Sequence, residues 1–190
     1  MKKVLVINAN PKSDSLCKAL AERYALAASN QHQVELIHLD NLDFAISLDQ
    51  GYDTKTALEP DLLHFQQQVE WANHVVIVSP VWWGTLPAKF KGLIDRTFLP
   101  GFAFKYVSGK AIPKKLLEGR TSQLIFTLDT PPFWYKYIKG NAIYRELKRS
   151  ILDFSGIKNQ SATYFGPVIS SDDKTRQAWL EKTEQLVNNC

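Results

Sequence analysis

The chain has 190 residues, of which 45% are hydrophobic and 22% charged, a balance typical of a globular domain. A chain of this length buries about 70% of the surface that its unfolded form exposes, so a stable core needs neither disulfides nor a metal. With 12% aromatic residues, 9 Gly and 9 Pro, the composition excludes disordered and collagen-like chains. The two cysteines, Cys17 and Cys190, are too few for a disulfide framework and indicate a reducing compartment.

The apolar segments and the distribution of charge predict the cellular location of the protein and the partners that it does not bind. The apolar run after the N-terminal lysines ends before Asn8 and is shorter than the ~7–15 residues of a signal-peptide core. No run approaches the ~20 apolar residues that cross a bilayer. The net charge of +4 is spread along the chain, whereas nucleic-acid-binding proteins cluster basic residues on one face. We predict a cytoplasmic protein that neither inserts into membranes nor binds nucleic acid.

Predicted strands and helices alternate along the chain. Runs of apolar, often β-branched residues predict strands at 4–7, 34–39, 75–78, 123–128 and 162–165. Apolar residues at three- and four-residue spacing predict helices from Leu16, at 61–71, after Pro87, at 141–154 and from Asp172 or Asp173 to Val187. Asp61 can cap the second helix. Segments 41–60 and 102–106 show neither pattern and are expected to be irregular.

This alternation predicts a single α/β domain over residues 1–190. Strand–helix–strand units pair their strands in parallel through right-handed crossovers and place helices on both faces of the sheet. Five strands fit a doubly wound parallel sheet, in which ligands bind beyond the carboxyl ends of the strands. Three loops should lie there, at residues 8–15, 80–84 and 129–137.

The sequence lacks the motifs of several common kinds of active site. The sequence contains no G-x-G-x-x-G, no P-loop, no G-x-S-x-G, no H-E-x-x-H and no C-x-x-C. All four histidines precede residue 75 and lie outside the three loops, which argues against a metal site or a Ser-His nucleophile. The loops instead favour a planar, phosphorylated ligand.

The first two loops carry the groups that such a ligand needs. Hydroxyl side chains just before a helix, among them Ser13 and Ser15, can hold a phosphate at the helix start, although for this loop alone an ordinary N-cap is the preferred explanation. The adjacent Trp82 and Trp83 at a strand end cannot both face the core, so at least one should line the crevice. The alternative is that both pack under a helix or at a subunit contact. Gly84 allows a ligand to approach the backbone.

The third loop and segment 102–106 are rich in aromatic residues. Segment 129–137 reads Asp-Thr-Pro-Pro-Phe-Trp-Tyr-Lys-Tyr, and 102–106 reads Phe-Ala-Phe-Lys-Tyr. Exposed aromatic patches of this kind bind a ligand or a partner chain. We therefore expect a homodimer whose crevice lies at the subunit interface.

The motifs together resemble the flavodoxin-like NAD(P)H:quinone oxidoreductase family over nearly the full length. The resemblance is carried by S-P-V-W-W-G-T-L-P-A at 79–88, K-G-L-I-D-R-T-F at 91–98 and G-F-A-F at 101–104. It implies a flavodoxin-like sheet of strand order 2-1-3-4-5 and a homodimer with FMN or FAD at the strand ends. FMN is expected rather than FAD because the chain is short. The implied cofactor-binding residues are Asn10, Ser13, Ser15, Leu16, Pro80, Val81, Trp82, Trp83, Gly84, Asp129, Thr130 and, from the other subunit, Phe104.

The resemblance also implies an activity. NAD(P)H would deliver a hydride to the flavin and leave, and a quinone or similar flat acceptor would then take two electrons in the same pocket. Tyr135 or Tyr137 would serve as the catalytic hydroxyl. One alternative is a flavodoxin-type electron carrier, which the pI of about 9.0 disfavours because such carriers are generally acidic. The other is a flavin-binding regulatory subunit that senses redox state, which could use the same site.

Overall fold

The computed structural model describes residues 1–54 and 56–190. Its main sheet has five parallel strands, and a short antiparallel ladder lies apart from it. In chain order the strands are β1 (Lys3–Asn8), β2 (Gln33–His38), β3 (His74–Pro80), β4 (Phe104–Lys105), β5 (Lys114–Lys115), β6 (Thr121–Thr127) and β7 (Lys158–Phe165). The main sheet has the order β2-β1-β3-β6-β7, which confirms the predicted order 2-1-3-4-5.

Helices connect the strands of the main sheet. They are α1 (Leu16–Ser29), α2 (Pro60–Trp71), α3 (Ala88–Thr97), α4 (Pro132–Tyr137), α5 (Ala142–Arg145), α6 (Asp153–Ser155) and α7 (Asp173–Gln185). The π-helical segment Glu146–Leu152 joins α5 to α6, and 3-10 turns occupy Leu39–Asn41 and Leu186–Asn189. Within the described part of the chain, no helix combines the length and the apolar character that a bilayer crossing demands.

Both faces of the sheet are covered, as the uninterrupted apolar strands predict. Along β1, Val4 and Val6 pack into the cluster that contains the apolar side of α1, whereas Leu5 and Ile7 pack into the cluster beneath α2 and α3. Successive side chains of a strand point to opposite faces. A strand that is buried on both faces is therefore apolar at nearly every position.

Proline chemistry explains two differences between the predicted and the observed helices. Helix α2 begins at Pro60, and Asp61 does not cap it but accepts a hydrogen bond from the Asp43 N–H (2.7 Å). Helix α3 begins at Ala88, directly after Pro87, as predicted. The predicted loop at 129–137 contains α4, because Pro131 and Pro132 start a helix there. Proline favours the first helical position since its fixed φ already suits a helix and its missing N–H is not needed.

Two further segments differ from the sequence expectation. The expected irregular stretch 102–106 contains β4, which pairs with β5; strands of two residues carry no periodicity that could reveal them. The helix predicted at 141–154 extends over 142–155 and widens to π-helical geometry from Glu146 to Leu152. Widened turns of this kind are rare and often occur at functional sites. The predicted loop at 41–60 is confirmed over residues 42–54 and 56–59.

Candidate functional site

The three predicted segments do meet at one edge of the sheet. They follow β1, β3 and β6, which are parallel neighbours, so their carboxyl ends lie side by side. A cleft of about 660 Å³ opens where the second and third segments face each other. It is lined by Val81, Trp83, Gly84, Thr85, Leu128, Asp129, Thr130, Tyr135, Lys139 and Ala142.

The first segment is a shaped loop that ends at the start of α1. Asn10 is buried; its N–H donates to Asn8 Oδ1 (3.2 Å), and its own Oδ1 accepts from the Lys12 N–H (3.0 Å). Ser15 caps α1 by accepting from the Lys18 N–H (3.2 Å), so the N-cap interpretation is confirmed. The N–H groups of the first helical turn that precede Lys18 have no partner within the helix. No acidic residue lies in that turn, which leaves it suited to an anion.

Cys17 lies in the same helical turn but offers no nucleophile. Its buried thiol sits 3.1 Å from the Thr127 hydroxyl at the end of β6. Burial raises the pKa of Cys17 to about 11, and hydrogen bonding to Thr127 opposes that rise only in part. The thiol is therefore protonated at neutral pH.

The second segment forms a tight turn with an exposed tryptophan at its tip. Trp82 and Thr85 exchange two backbone hydrogen bonds of 3.0 Å each, and both central residues have positive φ, +50° at Trp83 and +87° at Gly84. This geometry matches a type I′ turn, which favours glycine at its centre. The side chain of Trp83 is fully exposed and that of Trp82 is 45% exposed, so neither tryptophan packs under a helix in this chain.

The third segment anchors that turn from across the cleft. Tyr135 in α4 is buried, and its hydroxyl donates to the Gly84 carbonyl (2.6 Å) while it accepts from the Ile143 N–H (3.0 Å). Burial raises the pKa of Tyr135, against the effect of the Ile143 bond. The Asp129 carboxylate accepts from the Ile169 N–H (2.8 Å). Asp129 and Tyr135 thus shape the cleft wall with bonds to the backbone.

Several predicted site residues lie elsewhere in the chain's own fold. Tyr137 faces a separate groove of about 380 Å³ on the other side of α4, beside Phe133 and Lys136. Phe104 packs on Tyr106 and Phe154, with ring centroids 5.4 and 4.9 Å apart. Pro80 is buried as the last residue of β3. Asn10, Ser13, Ser15 and Leu16 belong to the neighbouring loop and helix start, outside the cleft wall.

Other cleft features had no clear signal in the sequence. Thr85 donates a hydrogen bond to the carboxylate of Glu146, a residue that no sequence motif predicts. Lys139 and Ala142, which follow α4 in the chain, also line the cleft. A larger cavity of about 960 Å³ lies between the loop after β2 and residues 96–102. None of the three strand-end segments lines it, so the strand-end cleft is the candidate site.

These observations define a doubly wound α/β protein whose site lies at the carboxyl edge of its sheet, next to the crossover between β1 and β3. Residues 2–187 match the family described as having a flavodoxin-like fold, and the chain belongs to that family.

Individual proteins extend the comparison. The chain is 27% identical over 190 residues to an uncharacterized NAD(P)H oxidoreductase of Haemophilus influenzae, covering 95% of this chain and 92% of the relative. It is 28% identical over 147 residues to an FMN-dependent NADH:quinone oxidoreductase of Coprothermobacter proteolyticus, covering 70% and 72% of the two chains. The crystal structure of Smu.1420 from Streptococcus mutans superposes with a TM-score of 0.83 at 25% identity, over 99% and 100% of the chains.

Proposed function

We propose that this protein is a flavin-dependent NAD(P)H oxidoreductase that reduces a quinone or a similar flat acceptor. One observation carries the proposal: a helix start suited to an anion and a cleft edged by exposed backbone N–H groups lie on adjacent strand ends. The Haemophilus relative named as an NAD(P)H oxidoreductase, which aligns over nearly the whole chain, and the FMN-dependent quinone oxidoreductase support it.

The start of α1 fits the phosphate of FMN. The N–H groups of Leu16 and Cys17 precede the first intrahelical donor and point toward the loop, and the cap hydroxyl of Ser15 lies beside them. Lys12 and Lys18 flank the loop with positive charge. We propose that Ser13, Ser15 and Leu16 hold the phosphate, with Asn10 shaping the loop behind them. The Coprothermobacter relative's dependence on FMN supports FMN as the cofactor here.

The Trp82–Thr85 turn fits the edge of a flavin ring. Its terminal N–H groups are used within the turn, whereas those of Trp83 and Gly84 have no acceptor among the described residues. Two such donors at a ring edge stabilise negative charge that develops on the ring. Pro80 and Val81 bring the chain to this position, and Asp129 and Thr130 form the opposite wall.

When bound, the flavin supplies the redox chemistry by accepting a hydride from the nicotinamide and passing two electrons to the acceptor. The chain's own residues orient the ring and hold its charge. They also leave one face of the cleft open to NAD(P)H and then to the acceptor, as a ping-pong reaction in one pocket requires. The hydroxyl of Tyr135 is committed to Gly84, so it acts in the resting protein as a support. The catalytic roles of Tyr135 and Tyr137 remain predictions.

A homodimer would complete the site. The exposed aromatic side chains of Trp82, Trp83 and Tyr106 lie on segments that the sequence analysis assigned to the ligand or the subunit contact. We propose that two copies pair so that Phe104 of one protomer approaches the cleft of the other. Both cysteines are free thiols, which is in keeping with the proposed cytoplasmic location.

The test begins with the visible spectrum of the purified protein after incubation with FMN and removal of the excess. Absorbance near ~450 nm that bleaches on anaerobic addition of NADPH or NADH, followed by steady turnover with a quinone, is the expected result. Bound flavin that neither nicotinamide reduces would favour the carrier or sensor. A protein that takes up neither FMN nor FAD would overturn the proposal.

A matched pair of variants localises the phosphate site. Ser15→Ala removes the hydroxyl at the start of α1, and Ser29→Ala removes one at the end of the same helix, where it bonds only the Leu26 carbonyl. We expect Ser15→Ala to weaken FMN binding about tenfold, since a hydrogen bond to a charged group contributes about 1.5–3 kcal/mol. Ser29→Ala should leave the FMN dissociation constant within twofold of the parent value.

A further inference from the structure

We infer that Glu146 is a positioning residue that holds the flavin-contacting turn at Trp82–Thr85 in a strained conformation. The inference rests on the proposed function for what the turn contacts, but the strain and its anchors are features of the chain alone. Glu146 begins the π-helical segment, and its carboxylate accepts a hydrogen bond from the Thr85 hydroxyl.

The turn needs an external anchor because its own geometry is costly. Trp83 has φ +50°, a left-handed conformation that is unfavourable for a non-glycine residue. Its side chain is fully exposed, so the ring gains no burial that would offset this cost. The two hydrogen bonds between Trp82 and Thr85 close the turn, and neither of them involves Trp83 at its tip.

Two contacts from outside fix the residues that follow Trp83. The Tyr135 hydroxyl donates to the Gly84 carbonyl, and the Glu146 carboxylate accepts from Thr85. The donors and acceptors come from separate segments, α4 and the π-helical segment, so each anchor can be removed independently. Together they hold Gly84 and Thr85 in place, while the N–H groups of Trp83 and Gly84 have no acceptor among the described residues.

The partner of Glu146 distinguishes it from an ordinary surface carboxylate. It forms no ion pair within residues 1–54 and 56–190, and the basic side chain of the adjoining cavity, Lys91, is already paired with Asp95. A hydrogen bond from a hydroxyl to a carboxylate is among the stronger kinds in proteins. The half-buried position of Glu146 limits the screening of that bond by water.

The test measures the turn itself, in the protein without flavin. Hydrogen exchange by NMR follows the Trp82 and Thr85 amides, which bond across the turn, and amides of β3 report global unfolding. We expect Thr85→Val and Glu146→Ala each to accelerate exchange of the two turn amides about tenfold, with β3 amides within twofold. Either variant removes the same Thr85–Glu146 hydrogen bond. Exchange of the turn amides in the double variant should therefore be no faster than in the faster of the two single variants.

Conservative variants and a remote control sharpen the result. Thr85→Ser keeps a hydroxyl, so its turn amides should exchange within twofold of the parent rate. Glu146→Gln keeps a neutral acceptor, so its turn amides should exchange faster than those of the parent protein and slower than those of Glu146→Ala. Glu184→Gln removes a carboxylate from the surface pair with Arg23 and should leave the turn amides unchanged. Additive effects, unaltered exchange in Glu146→Ala, or uniform acceleration that includes β3 would overturn the inference.

FMN binding then connects the anchor to the site. Glu146→Ala should raise the FMN dissociation constant about fivefold to tenfold, and Thr85→Ser should remain closer to the parent value than Thr85→Val. If the parent protein binds no flavin, the proposed function fails, while the exchange data still decide whether Glu146 holds the turn.

Discussion

Tyr135 and Gly84 are joined across the candidate cleft by a hydrogen bond of 2.6 Å from the tyrosine hydroxyl to the glycine carbonyl. The same oxygen accepts the Ile143 N–H at 3.0 Å. The hydroxyl therefore has its one proton engaged and connects the turn after β3 to the start of α5. To protonate a substrate it would first have to release Gly84, which makes support of the turn its function in the resting protein.

The first prediction concerns this hydroxyl. Tyr135→Phe keeps the buried ring but leaves the Gly84 carbonyl and the Ile143 N–H without their partner. We expect the free energy of unfolding to fall by about 1–3 kcal/mol, the cost of unsatisfied polar groups in a protein interior. Urea unfolding followed by far-UV circular dichroism measures the change.

Tyr137 provides the matched comparison. Its side chain is 66% exposed, so Tyr137→Phe should change the unfolding free energy by less than about 0.5 kcal/mol. A stability loss in Tyr137→Phe equal to that in Tyr135→Phe would contradict the support function of Tyr135. Steady-state kinetics of both variants with a quinone would then show which hydroxyl, if either, affects turnover.

The second prediction concerns the buried ion pair that holds the loop after β2. Arg96 is 2% exposed; it contacts the Glu59 carboxylate at 2.6 Å and donates to the carbonyls of Ala45 and Ala57. Glu59→Gln would leave a buried guanidinium without its counter-charge. We expect the free energy of unfolding to fall by about 2 kcal/mol. This is less than the 3–5 kcal/mol lost when a fully buried pair is broken, because Glu59 keeps some exposure to water. Thermal and urea unfolding test this.

The Glu59–Arg96 pair also makes the stability of the fold depend on pH. Burial acts to raise the pKa of Glu59, but hydrogen bonds from the Ala45 N–H and from Arg96 outweigh it and hold the pKa below its ordinary 4.5. A lowered pKa means that the pair stabilises the fold above pH 4.5 and that this stability is lost as the pH falls through the folded-state pKa. Glu59→Gln should flatten this acid limb of the unfolding free energy. An unchanged limb would show that other carboxyl groups produce it.

The third prediction tests a close packing contact beneath that loop. A Cβ atom at Gly92 in α3 would lie 2.6 Å from the carbonyl oxygen of Ile46. Gly92→Ala should therefore lower the free energy of unfolding by about 1–3 kcal/mol through overpacking. This loss is expected even though alanine favours a helix over glycine by about 1 kcal/mol. Gly109 is a control whose added Cβ meets nothing within 4 Å and whose φ is +75°. Gly109→Ala should cost only the backbone strain, about 1 kcal/mol.

The sequence alone was sufficient for the sheet but not for the cleft wall. Uninterrupted apolar runs such as that of β1 occur where a strand is covered on both faces, and alternation with helices then fixes parallel pairing. The turn at Trp82–Thr85 could be located for the same reason, since it follows such a run. Its conformation could not, because the hydrogen bonds that reach Gly84 and Thr85 from outside the turn come from Tyr135 and Glu146, which lie 51 and 61 residues further along the sequence.

The last prediction uses His74, which lies at the start of β3, at the opposite end of that strand from the site. It is fully buried; its Nδ1 is 2.7 Å from the Thr121 hydroxyl, and its Nε2 has no hydrogen-bond partner within the described residues. Burial lowers the pKa of His74 from 6.5 to about 4, and the positive charge of Lys2 adds to this effect. The folded protein therefore excludes the imidazolium form.

The lowered pKa of His74 makes the folded protein less stable in acid. The unfolded chain takes up a proton at His74 below about pH 6.5, whereas the folded chain does so only near pH 4, so stability is greatest above pH 6.5 and falls as the pH decreases toward 4. A shift of this size corresponds to about 3 kcal/mol. Urea unfolding at pH 7, 5.5 and 4.5 should show this loss in the parent protein, and His74→Gln should remove most of the slope between pH 6.5 and 4.5. Because a carboxyl group such as Glu59 contributes only as the pH falls below about 5, a slope between pH 7 and 5.5 that survives in His74→Gln would contradict the assignment of this acid sensitivity to His74.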